Sequence, residues 1–142
     1  VILSPELTNA QINDISAVLP TEVFAYGSQC VMTSEYCPIG SIVGGFSKSN
    51  KCDMPCLKNE KYYLRDRLGI DFRIIPDNID CQSTIYNSKI TSLETKDVRC
   101  DSILINVNDE SVRDISKIID VHKEGSKLSG DQYTNAHANR PI

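Results

Sequence analysis

Both ends of the chain alternate a short run of β-branched or leucine residues with a stretch of helical period, and this alternation limits the fold more than any other feature. Val1-Ile2-Leu3 is followed by Ser4-Pro5, a strand and its stop. Thr8 and Gln11 stand in a capping-box pattern. Leu7, Ile12, Ile15 and Leu19 then fall at near-helical spacing up to Pro20. Glu22 to Tyr26 is the next strand, closed by Gly27. Farther on, Ser102 to Val107 reads as a strand that turns at Asn108-Asp109. Ser111 and Asp114 cap a helix striped by Val112, Ile115, Ile118 and Ile119, ending near Gly125. Repeated strand–helix units imply a parallel sheet covered by helices. Runs as apolar as residues 1–3 and 103–105 suit strands buried on both faces.

The middle follows another pattern. Residues 38–50 are rich in glycine and serine and show no helical period. Lys61 to Arg65 and Asp71 to Ile75 read as two strands around a hairpin turn, Asp66-Arg67-Leu68-Gly69. Thr84 to Tyr86 reads as a third. Residues 126–142 are polar, with Gly130, Asn135, Asn139 and Pro141, and read as a loop or tail. A complete eight-fold barrel needs about 250 residues, and the chain has 142. The expected fold is therefore α/β, a partial TIM-like (β/α) barrel. It consists of a strand–helix–strand at 1–26, a cysteine-rich insertion containing a β-hairpin at 27–100, a strand–helix at 101–125 and the tail. Such a piece leaves a raw sheet edge. The expected partner is the remainder of its own chain or a second copy in a homodimer. A start at Val1, inside a strand-like run, fits a fragment of a longer protein.

Composition narrows the function classes. A net charge of -4 and a pI near 5.1 argue against a whole-chain grip on DNA or RNA, while leaving room for a local RNA-reading pocket. No run of about 18 apolar residues predicts a membrane-spanning helix. No basic segment followed by an apolar one marks a signal peptide. The expected location is the cytoplasm.

Six cysteines in such a chain point to metal or reactive thiols, since a reducing compartment disfavours disulfides. Cys52 and Cys56 lie one tight loop apart in Cys-Asp-Met-Pro-Cys. Cys37 stands beside Pro38 and Gly40, and Cys81 follows Asp77-Asn78, all turn formers. Thiolates on loops converge readily on a soft cation, either zinc in a sulfur tetrahedron or an iron–sulfur cluster. Spacing alone does not choose between them. Cys100, next to a buried strand, reads as a small core residue. Cys30 is a fifth thiol near the site or a substitute ligand.

The segments Glu22-Val23-Phe24-Ala25-Tyr26-Gly27-Ser28-Gln29-Cys30 and Ser34-Glu35-Tyr36-Cys37-Pro38-Ile39-Gly40 resemble the signature of the collagenase-like peptidase family U32. Gln29, Glu35 and Gly40 depart from that signature, where it has an aliphatic residue, glycine and serine. The form Ser-Glu-Tyr-Cys-Pro-Ile-Gly is similar to the branch found in clostridia. The likeness continues through Lys51-Cys52, Pro55-Cys56, Tyr62 to Arg67 with Gly69, and Cys81 with Ile85 to Ser88. The tail Tyr133 to Arg140 resembles a family segment, from which Ala136 and Pro141 depart. The resemblance implies a strand–helix barrel. It also implies a protein named as a peptidase without a settled mechanism, with relatives that hydroxylate RNA bases or quinone precursors on iron–sulfur clusters. It further implies Cys37, Cys52, Cys56 and Cys81 as ligands, with Cys30 as the alternate.

Three readings of function result. In the first, the full protein is an iron–sulfur or metal enzyme acting on RNA or a small precursor, the fragment being inactive alone. Tyr62, Arg65, Asp66 and Arg67 then line the pocket; the competing reading of Asp66 and Arg67 is a hairpin turn with a surface ion pair. The second is a true peptidase. His-Glu-x-x-His is absent, so the candidates are Cys30 or Cys37 with His137, or Glu22, Glu35 and Glu6 as acids or bases. His122 reads instead as a cation favoured at a helix C-terminus. The third is a non-catalytic module stapled by zinc.

Overall fold

A computed structural model describes residues 1–49, 51–58, 61–136 and 138. The chain is mixed α/β: six strands share sheet hydrogen bonding and the helices are few. In chain order the elements are α1 (Asn9–Ser16), β1 (Glu22–Ser34), α2 (Pro38–Ile42), α3 (Phe46–Ser49), a 3-10 turn (Pro55–Lys58), β2 (Tyr62–Arg65), β3 (Asp71–Pro76) and β4 (Ser83–Ser92). They are followed by β5 (Ser102–Ile105), α4 (Val112–Lys123) and β6 (Tyr133–Thr134). Two compact units are formed, one from Val1–Gln29 with Lys89–Ile142, the other from Cys30–Ser88.

The first unit carries the parallel strand order. Ile2 bridges Glu22 in parallel, with the Leu3 amide donating to the Glu22 carbonyl at 2.9 Å. β1 pairs in parallel with β5, from Glu22 against Ser102 to Tyr26 against Ile105. β6 pairs in parallel with β4. Between the bridge and β1, α1 starts on a complete capping box. The Thr8 amide donates to Gln11 Oε1 at 2.9 Å, and the Gln11 amide donates to Thr8 Oγ1 at 3.4 Å. Leu3, Ile12, Val23, Leu93 and Val98 form the core, with Leu7, Ile15 and Cys100 packed on it. The expected core role of Cys100 agrees with this packing, and burial pushes its thiol pKa up.

Three local expectations change. First, α1 stops at Ser16, and Val18 and Leu19 stand exposed beyond it. The Ser16 hydroxyl donates to the Ile12 carbonyl and bonds with Thr21 at 2.7 Å, so polar contacts end the helix before Pro20 can. Second, Gly27 does not close the strand, since β1 runs through it to Ser34. A methyl group at position 27 would lie 2.5 Å from the Asn106 carbonyl oxygen, and the backbone there has φ +140°. The glycine marks a close approach of two segments of the chain, not a turn. Third, the terminal runs are not buried on both faces: Val1 and Ile2 are exposed, and the side chains of 103–105 are half-buried.

His122 also differs from its expected role. It lies on α4, only 2% exposed, with Nε2 3.2 Å from the Ser92 hydroxyl and its ring beside that of Tyr26. Burial pushes the imidazole below its ordinary 6.5, partly opposed by the Leu93 and Ser126 backbone, so the neutral form is favoured rather than a helix-end cation. Tyr26, also buried, donates its hydroxyl to Glu110 Oε1 at 2.9 Å; Glu110 Oε2 accepts from the Asn108 and Asp109 amides. This carboxylate ties the loop after β5 to β1.

In the second unit, β2 and β3 form the expected hairpin, from Tyr62 against Ile74 to Arg65 against Asp71. Asp66 Oδ1 accepts from the Leu68 and Ile70 amides and so builds the turn. The ion pair is one step out from the expected Asp66 and Arg67: Arg65 grips Asp71 through two 2.7 Å bonds and holds its carboxyl below the usual range. Both groups face solvent, so screening leaves the pair little weight. β4 then pairs with β3 antiparallel, Ile74 against Ile85, and extends well past the expected Thr84–Tyr86. Ile39, Ile74 and Ile85 are the buried core, with Cys37, Tyr62, Leu64 and Phe72 around them.

Two stability measurements check these contacts. A depressed folded-state pKa on His122 means that the unfolded chain binds its proton first as pH falls. Stability therefore drops as pH decreases below about 6.5, and a His122→Phe variant will show a shallower fall in melting temperature between pH 7 and 5. Tyr26→Phe removes a bond to a carboxylate and should cost about 1.5–3 kcal/mol in urea unfolding.

Candidate metal-binding cavity

The Cys37 loop begins where β1 ends. The Tyr36 amide donates to Ser34 Oγ at 3.1 Å, and Cys37 then N-caps α2, with Pro38 at its first position. The cap is the thiol itself: the Gly40 amide donates to Cys37 Sγ at 3.3 Å. In the next loop, Cys52 and Cys56 are brought around by Met54, whose φ of +48° turns the chain. The Met54 amide donates to Cys52 Sγ at 3.4 Å. Pro55 is buried, and the Tyr62 hydroxyl donates to its carbonyl at 3.1 Å, fixing this turn to the hairpin. Cys81 lies in the β3–β4 connection. There Asp77 Oδ1 accepts from the Ile79 and Asp80 amides, and the Asp77 amide donates to the Gln82 carbonyl.

All four of these cysteines line one cavity of about 460 Å³ within the second unit. Tyr36, Ile39, Phe46, Met54 and Pro55 give it apolar walls, and Asp77 and Asn78 stand beside Cys81. Cys37 and Cys56 are half-buried, whereas Cys52 and Cys81 are exposed. Cys81 has φ +56°, a left-handed backbone that ordinarily falls to glycine or asparagine. A cysteine in that conformation adds local strain at a residue that lines the cavity.

The donor set of the cavity is sulfur-rich. Four thiols share one cavity, and two of them already accept backbone N–H bonds of the kind that stabilise thiolates. Among the described residues, no three Cys, His, Asp or Glu side chains close on a common point as a lone ion would require.

The other candidates fall in several places. Glu35 lines the cavity with the cysteines. Glu22 opens β1, with its Oε2 accepting from Ser102 Oγ at 3.2 Å, and Glu6 is exposed. His137 lies outside the described residues, as do the tail positions 139–142. Cys30 is exposed on β1, its sulfur 3.8 Å from Thr33 Oγ1, and is not part of the cavity lining. Tyr62, Arg65, Asp66 and Arg67 sit on the β2–β3 hairpin, and none of them lines the cavity. Sequence reasoning missed Tyr36, Phe46 and Met54 as walls. Their signal was position, since each lies within the loops that carry the cysteines.

A family model described as Peptidase family U32 matches residues 1–136. The chain belongs to that family. No curated protein and no solved structure matched it. The match spans both units of this U32 chain and every cysteine in it.

Strain at Cys81 gives a test of what its thiol is for. Cys81→Asn places a residue that tolerates the left-handed backbone, so the metal-free protein should gain of order 1 kcal/mol in urea unfolding. The same variant should lose uptake of thiophilic metal. A loss of stability with uptake unchanged contradicts the assignment.

Proposed function

We propose that this U32 chain supplies the cysteine-bearing part of a (β/α)-barrel enzyme, with Cys37, Cys52, Cys56 and Cys81 as ligands of a four-iron–four-sulfur cluster. The full protein would act in hydroxylation of an RNA base or a small precursor. The observation that carries this reading is the meeting of loops from positions 37 to 81 on one apolar cavity of about 460 Å³. Among the described residues no three such side chains close on one point, which speaks for a multi-atom cluster over a single zinc bonded at about 2.3 Å. The parallel succession of the Ile2 bridge, β1 and β5, with α1 between the first two, supports the partial barrel. Its closure is assigned to the remainder of the chain or to a second copy, in the cytoplasm, where thiolates stay reduced. The local sequence Ser34 to Gly40 supports the clostridial-type branch.

When bound, the cluster supplies an electron-transfer centre. The chain's own residues do the rest. The Gly40 and Met54 amides bond to ligand sulfurs, and Tyr36, Phe46 and Met54 line the cavity beside them. A second reading, peptide hydrolysis, draws support from Glu35, which lines the same cavity as the cysteines.

Anaerobic reconstitution with iron and sulfide separates the two. The cluster reading expects about four iron atoms per chain and a broad visible absorbance band, both lost on Cys52→Ala. Protein that stays colourless, yet cleaves peptides until its thiols are alkylated, would overturn it in favour of hydrolysis.

A further inference from the structure

Two glycines beside the cavity are not explained by backbone conformation. Neither Gly40 nor Gly44 is in the left-handed region. Gly40 lies inside α2, where alanine is ordinarily the better residue. Space explains both. A methyl group on Gly40 would sit 3.2 Å from Cys52 Sγ and 3.6 Å from Cys37 Sγ. One on Gly44 would sit 2.8 Å from Cys52 Sγ, 2.8 Å from the Gly40 carbonyl and 3.0 Å from Pro55 Cδ. The Gly44 carbonyl also accepts the Asp53 amide at 3.0 Å, which lays the Cys52 loop directly against the glycine pair.

We infer that Gly40 and Gly44, one helical turn apart, are positioning residues that leave a seat for the Cys52 sulfur and fix where it enters the cavity. The pair sets the Cys52 sulfur against the same glycine that Cys37 Sγ touches, so two of the four thiols share one support. A free thiol can swing a few tenths of an ångström away from an added methyl group. A sulfur bonded to metal cannot. The seat therefore matters most when the site is loaded, and in that respect the inference rests on the proposed function.

The test uses the 142-residue chain with Gly40→Ala and Gly44→Ala, each also combined with Cys52→Ala. In metal-free protein, Gly40→Ala should speed alkylation of Cys52 by iodoacetamide several-fold, read by peptide mass at one pH. After anaerobic loading, both variants should hold iron about 10–100-fold more weakly, the usual cost of disturbing groups that orient a ligand. With the Cys52 sulfur removed, Gly40→Ala should raise the urea midpoint, as alanine does in an unobstructed helix. Should Gly44→Ala fail to fold because of the Gly40 carbonyl, the Gly40→Ala arm decides alone. Alkylation and iron retention equal to those of the unsubstituted chain overturn the seat. So does a midpoint change that is the same with and without Cys52. If the unsubstituted chain takes up no iron, the cluster reading falls, and the alkylation and urea arms judge the seat independently.

Discussion

The packing of Ile39 on Ile74 and Ile85 is the contact on which the cysteine cavity depends. Burying such side chains contributes about 1.5–3 kcal/mol each. Here the contact joins α2, immediately after Cys37, to the two strands whose connection carries Cys81. Tyr62 packs on the same cluster and reaches the Pro55 carbonyl, which draws in the turn holding Cys52 and Cys56. A small apolar cluster thus brings together thiols that the chain keeps tens of residues apart. The shared lining is a consequence of that packing.

What could be read beforehand was mostly local. Thr8 with Gln11 and Ser111 with Asp114 became helix caps because each needs only its own neighbours. The β2–β3 hairpin was legible from a turn sequence between two short apolar runs. The α/β class followed from the alternation at the ends, and U32 membership from the segments around Cys30 and Cys37. Features that depend on a distant partner were misread. Gly27 looked like a stop because Asn106, its neighbour in space, is far along the chain. His122 looked like an exposed helix-end cation because nothing local announces that Ser92 and Tyr26 will enclose it.

The cavity combines both kinds of information. Its cysteines were identifiable by residue type and by the turn formers beside them. Their common lining arises from tertiary packing, as do the aromatic walls from Tyr36 and Phe46. Backbone detail adds what composition does not contain. A cysteine with φ +56° and a methionine with φ +48° flank the same space, and both run against ordinary residue preference. Local rules are often broken where a chain places chemistry. The inclusion of Glu35 in the lining puts an acid–base group within that same set.

The close approach at Gly27 also bears on how such a chain can vary through descent. Any L-amino acid other than glycine brings a Cβ, which would meet the Asn106 carbonyl at 2.5 Å in a backbone conformation that side chains rarely adopt. Two independent vetoes fall on one codon. A replacement at this position requires both a change in the local backbone and a shift of the segment that follows β5.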